Sequence, residues 1–278
     1  MTSRLRHAIG GYREYAPAPE LAFFAEGCWT HQAPRSVVAG AAHRVLPELS
    51  LSLGFEVVRD ERGRPIEGGP VIIGPKLQPQ IFPIVASREL TAVRLKPEWV
   101  GPMLGIDALD FDSRVVDLHL VRPAIAEELH ATLWNTHSAA ASMDVLAQAL
   151  VRFRASATSP APTAVSALDA VRRTAGSVLC ARIARGAGVS LRQLRRQVRD
   201  AMGVSPKHYA RTLRLNRTMR LADTTAHPSW AELAAAAGYC DQSHLIRECL
   251  AITGSSPRQL HAERRRQVIA TAERSNPA

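Results

Sequence analysis

The sequence predicts an α+β protein in two parts: a small antiparallel β-barrel or sandwich with flanking helices, then an all-helical domain. Three observations carry this. Strand-like runs bounded by Gly, Pro and charged turns fill much of the first half and vanish after residue 155, where helical periods take over. The stretch "ASATSPAPTAVS" (155–166) is small, polar, proline-bearing and without period, as a linker should be. Charge also steps there: residues 165–278 hold 19 Lys and Arg against 8 Asp and Glu, a net +11, whereas the first 164 hold 16 against 17. We therefore expect a domain at 1–155, a linker at 156–164, a second domain at 165–265 and a basic tail at 266–278.

Taken in order, the first-part elements are strands at 49–58, 70–74, 80–86 and 90–96, with "DERGRPIEGG" as a hairpin loop. "PEWVGPMLG" reads as a short helix started by Pro97, and residues 117–137 and 142–154 as two longer ones. After the linker, helical periods run at 165–175, 178–187, 191–201, 206–223, 229–237, 242–251 and 257–270.

The helix at 191–201 is the most informative. Ser190 stands at its N-cap position and Gly203 at its stop. Leu191, Leu194 and Val198 line one side, while Arg192, Arg195, Arg196 and Arg199 share another at i, i+3, i+4 and i+7. Packed like charges repel, so such a face favours a negative partner. An internal repeat then appears. "ARIARGAGVSLRQLRRQVRDAMGVSP" and "WAELAAAAGYCDQSHLIRECLAITGSSP" share one plan, aligning Ala184 with Ala234, Gly188 with Gly238, Leu194 with Leu245 and Ser205-Pro206 with Ser256-Pro257. Each half reads as a helix-turn-helix, whose second helix enters the DNA major groove. The first unit offers Arg192, Gln193, Arg195, Arg196 and Arg199 to DNA; the second offers Gln242, Ser243, His244 and Arg247. The helix between them (206–223) spans roughly 25 Å at 1.5 Å per residue. With its end turns that suits two recognition helices about one DNA turn apart, roughly 34 Å. It carries Lys207, Arg211, Arg214, Arg217 and Arg220, suited to phosphates, with Arg214 and Arg217 facing phosphate or solvent.

On "GVSLRQLRRQV", "GVSPKHY", "LRLNRTMRL" and "GYCDQSHLIREC", the second part resembles the DNA-binding domain of AraC-type transcription regulators over residues 165–265. The resemblance implies seven helices with both second helices on DNA. Val198, Leu245 and Cys249 stand where that family usually has an aromatic residue, and "YC" at 239–240 replaces its usual Phe and small polar residue. The first part is similar to an uncharacterised cupin-like domain often fused to such regulators, which implies a cupin-like β-barrel acting as sensor or dimerisation module.

Other chemistry finds little support. His31, His43 and Glu48 lack the His-x-His pattern of a metal-binding cupin. Asp107, Asp110, Asp112 and Asp117 lack the glycine and terminal Glu of a calcium loop, so caps and solvated turns are expected. Trp29, Trp99 and Trp134 read as core residues before pocket walls. The cysteines Cys28, Cys180, Cys240 and Cys249 form no CxxC pair, which fits reduced core thiols in a cytoplasmic protein. No apolar run reaches the length of a membrane span, and the N-terminus lacks a secretory signal's apolar core. The expectation is a sequence-specific transcription regulator without enzymatic activity, cofactor or metal. Its partners are double-stranded promoter DNA, RNA polymerase, a small-molecule effector and a second copy of itself. Two alternatives stay open: a nucleoid-associated protein binding DNA without sequence preference, and a DNA-repair enzyme, which would need a cysteine cluster where only Cys28 is found.

Overall fold

The computed structural model describes residues 5–9, 11–33, 42–62, 64–84, 87–175 and 180–274. The architecture is α+β, an antiparallel sheet with helices followed by helices alone. The strands are β1 (Leu5–Ile9), β2 (Tyr12–Tyr15), β3 (Ala25–Gln32), β4 (Ala42–Val45), β5 (Ser52–Arg59), β6 (Pro65–Ile73), β7 (Gln80–Pro83), β8 (Arg88–Leu95) and β9 (Val115–Asp117). They pair in the order β1-β2-β3-β8-β5-β6-β9, and β4 pairs with β7 in a separate ribbon. Among the described residues β1 and β9 are the edges of this sheet, and the strand pairs close no barrel.

Alternation sets the two faces of the sheet. Leu53, Phe55 and Val57 of β5 and Val93 and Leu95 of β8 turn into one core with Trp99, Leu129, Leu133, Leu146 and Leu150. The last five come from α1 (Pro97–Leu104), α2 (Pro123–Leu133) and α3 (Ala139–Ser156). Ala92, Val71 and Ile73 turn to the opposite face with Trp29 and Leu90.

Three expectations are corrected here. The segment read as a hairpin loop is half strand: Asp60 Oδ1 accepts from the Arg62 and Arg64 amides at the turn, and β6 begins at Pro65. The helix expected at 117–137 is broken. Asp117 caps a short 3-10 turn (Leu118–Leu120), and α2 starts anew at Pro123, whose fixed φ suits a first helical position. The aspartates, by contrast, sit in caps and turns as expected: Asp107 accepts from the Leu109 amide and Asp117 from that of His119, while Asp112, in a turn, accepts from the Ser113 hydroxyl. The strand expected to 86 ends at Pro83, with residues 85–86 outside the described ones.

The second part consists of α4 (Pro162–Arg173), α5 (Cys180–Gly186), α6 (Leu191–Met202), α7 (Pro206–Ala222), α8 (Trp230–Ala237), α9 (Gln242–Thr253) and α10 (Pro257–Arg274). They enclose two cores, one on α4 to α7 with Leu194, Val198 and Tyr209, and one on α7 to α10 with Leu215, Leu245 and Cys249. The first part enters both. Leu49, 4% exposed, and Leu77 pack into the former, and Leu46 into the latter. Residues 44–50 thus form a strap along α7. Arg44 pairs with Glu263 at 3.1 Å, and Asn216 donates to the Pro47 carbonyl at 2.8 Å. Glu26 accepts from Ser50 at 2.8 Å and from the Tyr209 hydroxyl at 3.1 Å. Nearby, Arg172 forks onto Glu98 at 2.9 and 2.5 Å. Burial raises the pKa of Glu26, and Arg172 partly offsets it.

Candidate nucleic-acid interface

Each helix-turn-helix unit turns at a left-handed glycine. Gly188 has φ 66° and Gly238 φ 84°, a region in which a Cβ meets the following carbonyl oxygen. The amide after each reaches back to the aligned alanine: Val189 to the Ala184 carbonyl at 3.0 Å and Tyr239 to that of Ala234 at 2.9 Å. Ala184 and Ala234 are 3% and 0% exposed, so each small side chain sits where two helices close on one another. The recognition helices end alike, at Gly203 (φ 67°) and Gly254 (φ 69°). The repeat read in the sequence is thus a repeat of backbone geometry.

In α6, Leu194, Val198 and Met202 are buried while Arg192, Arg195, Arg196 and Arg199 are exposed. None of these four arginines takes part in an ion pair among the described residues. Gln193 is committed locally: its Oε1 accepts from the Ser190 amide at 2.8 Å while Ser190 Oγ accepts from the Gln193 amide at 3.2 Å, a capping box. Its NH2 group takes no part in that box. Gln197, on the flank, donates to Thr163 of α4.

In α9, Gln242, Ser243 and Arg247 are exposed, while Leu245 and Cys249 are fully buried. Burial pushes the Cys249 thiol up to about 11. His244 is half-buried. Its Nδ1 accepts from the Cys240 amide at 3.3 Å, and its ring stands edge-on to Tyr239, 5.3 Å between centroids. On α7 the basic residues divide. Lys207 and Arg217 are exposed, Arg211 pairs with Glu248 at 2.6 Å, and Arg214 lies over the Tyr239 ring at 5.3 Å. Arg214, half-buried, is thus engaged with that ring. The Arg211–Glu248 pair escaped sequence reading because nothing in the spacing of residues 37 apart signals contact.

Elsewhere, among the described residues, no group of three or more His, Cys, Asp or Glu could hold a metal ion. Glu48 instead reaches Arg94 at 3.3 Å, and the His43 side chain lies outside the described residues. Trp99 is core. Trp29 is half-buried and donates to Ser52, and Trp134, also half-buried, stacks on His130. Among the described residues no helix is long and apolar enough to cross a membrane.

Comparison with known families then bears on this geometry. Residues 183–263 match the family described as a helix-turn-helix domain. Residues 183–263 are an AraC-type helix-turn-helix domain. Residues 13–117 match a domain of unknown function. No curated protein matches the sequence. Among solved structures, a transcriptional regulator with an AraC-type DNA-binding domain from Chromobacterium violaceum is 28% identical; the match covers 37% of this chain and 92% of that one, at a TM-score of 0.34. The C-terminal domain of AraT, a response regulator from Geobacillus stearothermophilus, is 22% identical over 37% of this chain and 85% of that one, TM-score 0.34. ToxT from Vibrio cholerae O395 is 8% identical over 84% of this chain and 97% of that one, TM-score 0.43.

Proposed function

We propose that this AraC-type regulator binds double-stranded promoter DNA sequence-specifically, with α6 and α9 in adjacent major grooves. The observation that carries the reading is the exposed face of Arg192, Arg195, Arg196 and Arg199 on a helix whose other face buries Leu194, Val198 and Met202. A face of four like charges with no carboxylate partner among the described residues favours a polyanion, and arginine forks match guanine edges. Gln242, Ser243 and Arg247 play the matching part on α9, and Lys207 and Arg217 take phosphates. Gln193 contributes through its NH2 group, and His244 acts through the turn it holds. The first domain, residues 1–155, is the module that senses an effector or pairs with a second copy, and the protein acts in the cytoplasm.

The test is binding of Arg196→Ala and Arg217→Ala to a randomised site library at several salt concentrations. Arg196→Ala should weaken the best site by about 1–3 kcal/mol and relax base preference at one position. Arg217→Ala should weaken all sequences alike and lower the salt slope by about one unit. If Arg196→Ala leaves the preferred sequence and its margin over random DNA unchanged, base readout by this face is wrong. If the parent protein itself prefers no sequence, binding is of the nucleoid-associated kind.

A further inference from the structure

Helix α9 carries a second stripe beside its exposed one. His244 and Glu248, at i and i+4, lie on the side that meets α7 and the preceding turn. Glu248 is gripped by Arg211 at 2.6 Å, with the two side chains 20% and 28% exposed. At the N-terminal end of α9, His244 stands edge-on to Tyr239, and Arg214 lies over the same ring. Tyr239 is 5% exposed, so this sandwich is anchored in the second unit's core. The connecting helix therefore holds the second recognition helix at two points a turn apart, one ionic and one aromatic. The partners of α6 differ in kind: it takes its position from its own core and the hydrogen bond to Thr163.

Resting on the sequence-specific reading above, we infer that Arg211, Glu248, Arg214, Tyr239 and His244 are positioning residues that fix the offset between the two recognition helices. The protein then selects DNA by the separation of its two half-sites as well as by their bases. One added base pair moves the second half-site by about 3.4 Å along the axis and about 35° around it. A second unit held at two points cannot follow that motion without breaking a contact, whereas a loosely hinged unit can. None of the five needs to touch DNA.

The experiment uses full-length protein and the preferred site of the parent, with the spacer between half-sites kept, shortened or lengthened by one base pair. Glu248→Gln keeps the shape and removes the charge; Arg211→Lys keeps the charge and removes the fork. Both should retain the parent's base preferences within each half-site. Both should lose about two- to five-fold of the discrimination between the kept spacer and the altered ones, the worth of a partly exposed ion pair. In Glu248→Gln the freed Arg211 cation should hold affinity on altered spacers level or raise it. The double reversal Arg211→Glu with Glu248→Arg should restore the spacing profile. Circular dichroism and tryptophan fluorescence check that the variants fold. An unchanged spacing profile in folded Glu248→Gln and Arg211→Lys overturns the inference, as does an equal loss at every spacing. A parent with no preferred site overturns the sequence-specific reading and the inference with it, a result distinct from either.

Discussion

Shortening Leu49 to alanine tests whether the strap belongs to the DNA-binding half. Leu49 leaves the sheet domain, is 4% exposed, and packs among Leu168, Val171, Leu194 and Val198 of the first helix-turn-helix unit. Leu49→Ala deletes three buried carbons and leaves a cavity between two domains. Core Leu→Ala changes cost about 2–5 kcal/mol, and a site flanked by a movable domain relaxes partly, so about 2–4 kcal/mol is expected. That loss should appear in helices to which Leu49 has no covalent nearness. Hydrogen exchange of full-length protein reads it directly: amides of α4 and α6 should lose at least about 30-fold protection, the equivalent of 2 kcal/mol. Amides of β3 and β8, in the centre of the sheet, should change far less. Leu120→Ala, at a side chain 81% exposed, is the control and should shift nothing by more than about 0.5 kcal/mol. Unchanged exchange in α4 and α6, or a loss confined to the sheet, would refute the shared core.

Gly203 and Gly254 end the two recognition helices in the same left-handed conformation, yet a Cβ at Gly203 would overlap the Leu109 side chain while one at Gly254 meets open space. Gly254→Ala should cost about 1–2 kcal/mol of backbone strain and Gly203→Ala about 1–3 kcal/mol more, read by thermal denaturation. Tyr209→Phe removes a donor from the buried Glu26 carboxylate and should cost about 1–3 kcal/mol by chemical denaturation. Burial lowers the Lys76 ammonium to about 8 from 10.5, so the native state binds fewer protons than the unfolded chain between those values. Stability from this group must therefore rise as pH rises from 8 to 10.5, by about 3 kcal/mol at most, and the rise should vanish in Lys76→Met denaturation profiles.

The helical half was legible because its signals are local. Ser190, Gly203, Ser205 and the four-arginine period each speak for positions within one or two turns, and each helix expected after the linker occurs within a few residues of its expected bounds. Two local signals were nonetheless passed over. Ser190 and Gln193 stand three apart, the spacing of a capping box, which commits half of the Gln193 side chain to the helix itself. Pro123 marks where the segment at 117–137 must restart. What was not legible is what joins distant positions. Leu46 and Leu49 look like ordinary apolar residues at a strand's approach, and no period says that they finish cores built from residues beyond 160. The contacts of His244 with Tyr239 and the Cys240 amide involve residues outside α9, so a helical wheel of α9 alone does not show them.

The strap makes the two halves thermodynamically reciprocal. Residues 44–50 touch α7, α10 and both helix-turn-helix cores, while their flanks continue into β4 and β5 of the sheet. Whatever orders that segment therefore stabilises one arrangement of α6 and α9 over others, and by linkage DNA that requires the same arrangement returns the favour with an equal free energy. A molecule that orders the strap in the arrangement DNA requires must grip more tightly when the protein sits on that DNA, by the same factor by which it tightens the DNA complex. The coupling needs no separate relay between the halves, because seven residues belong to both at once.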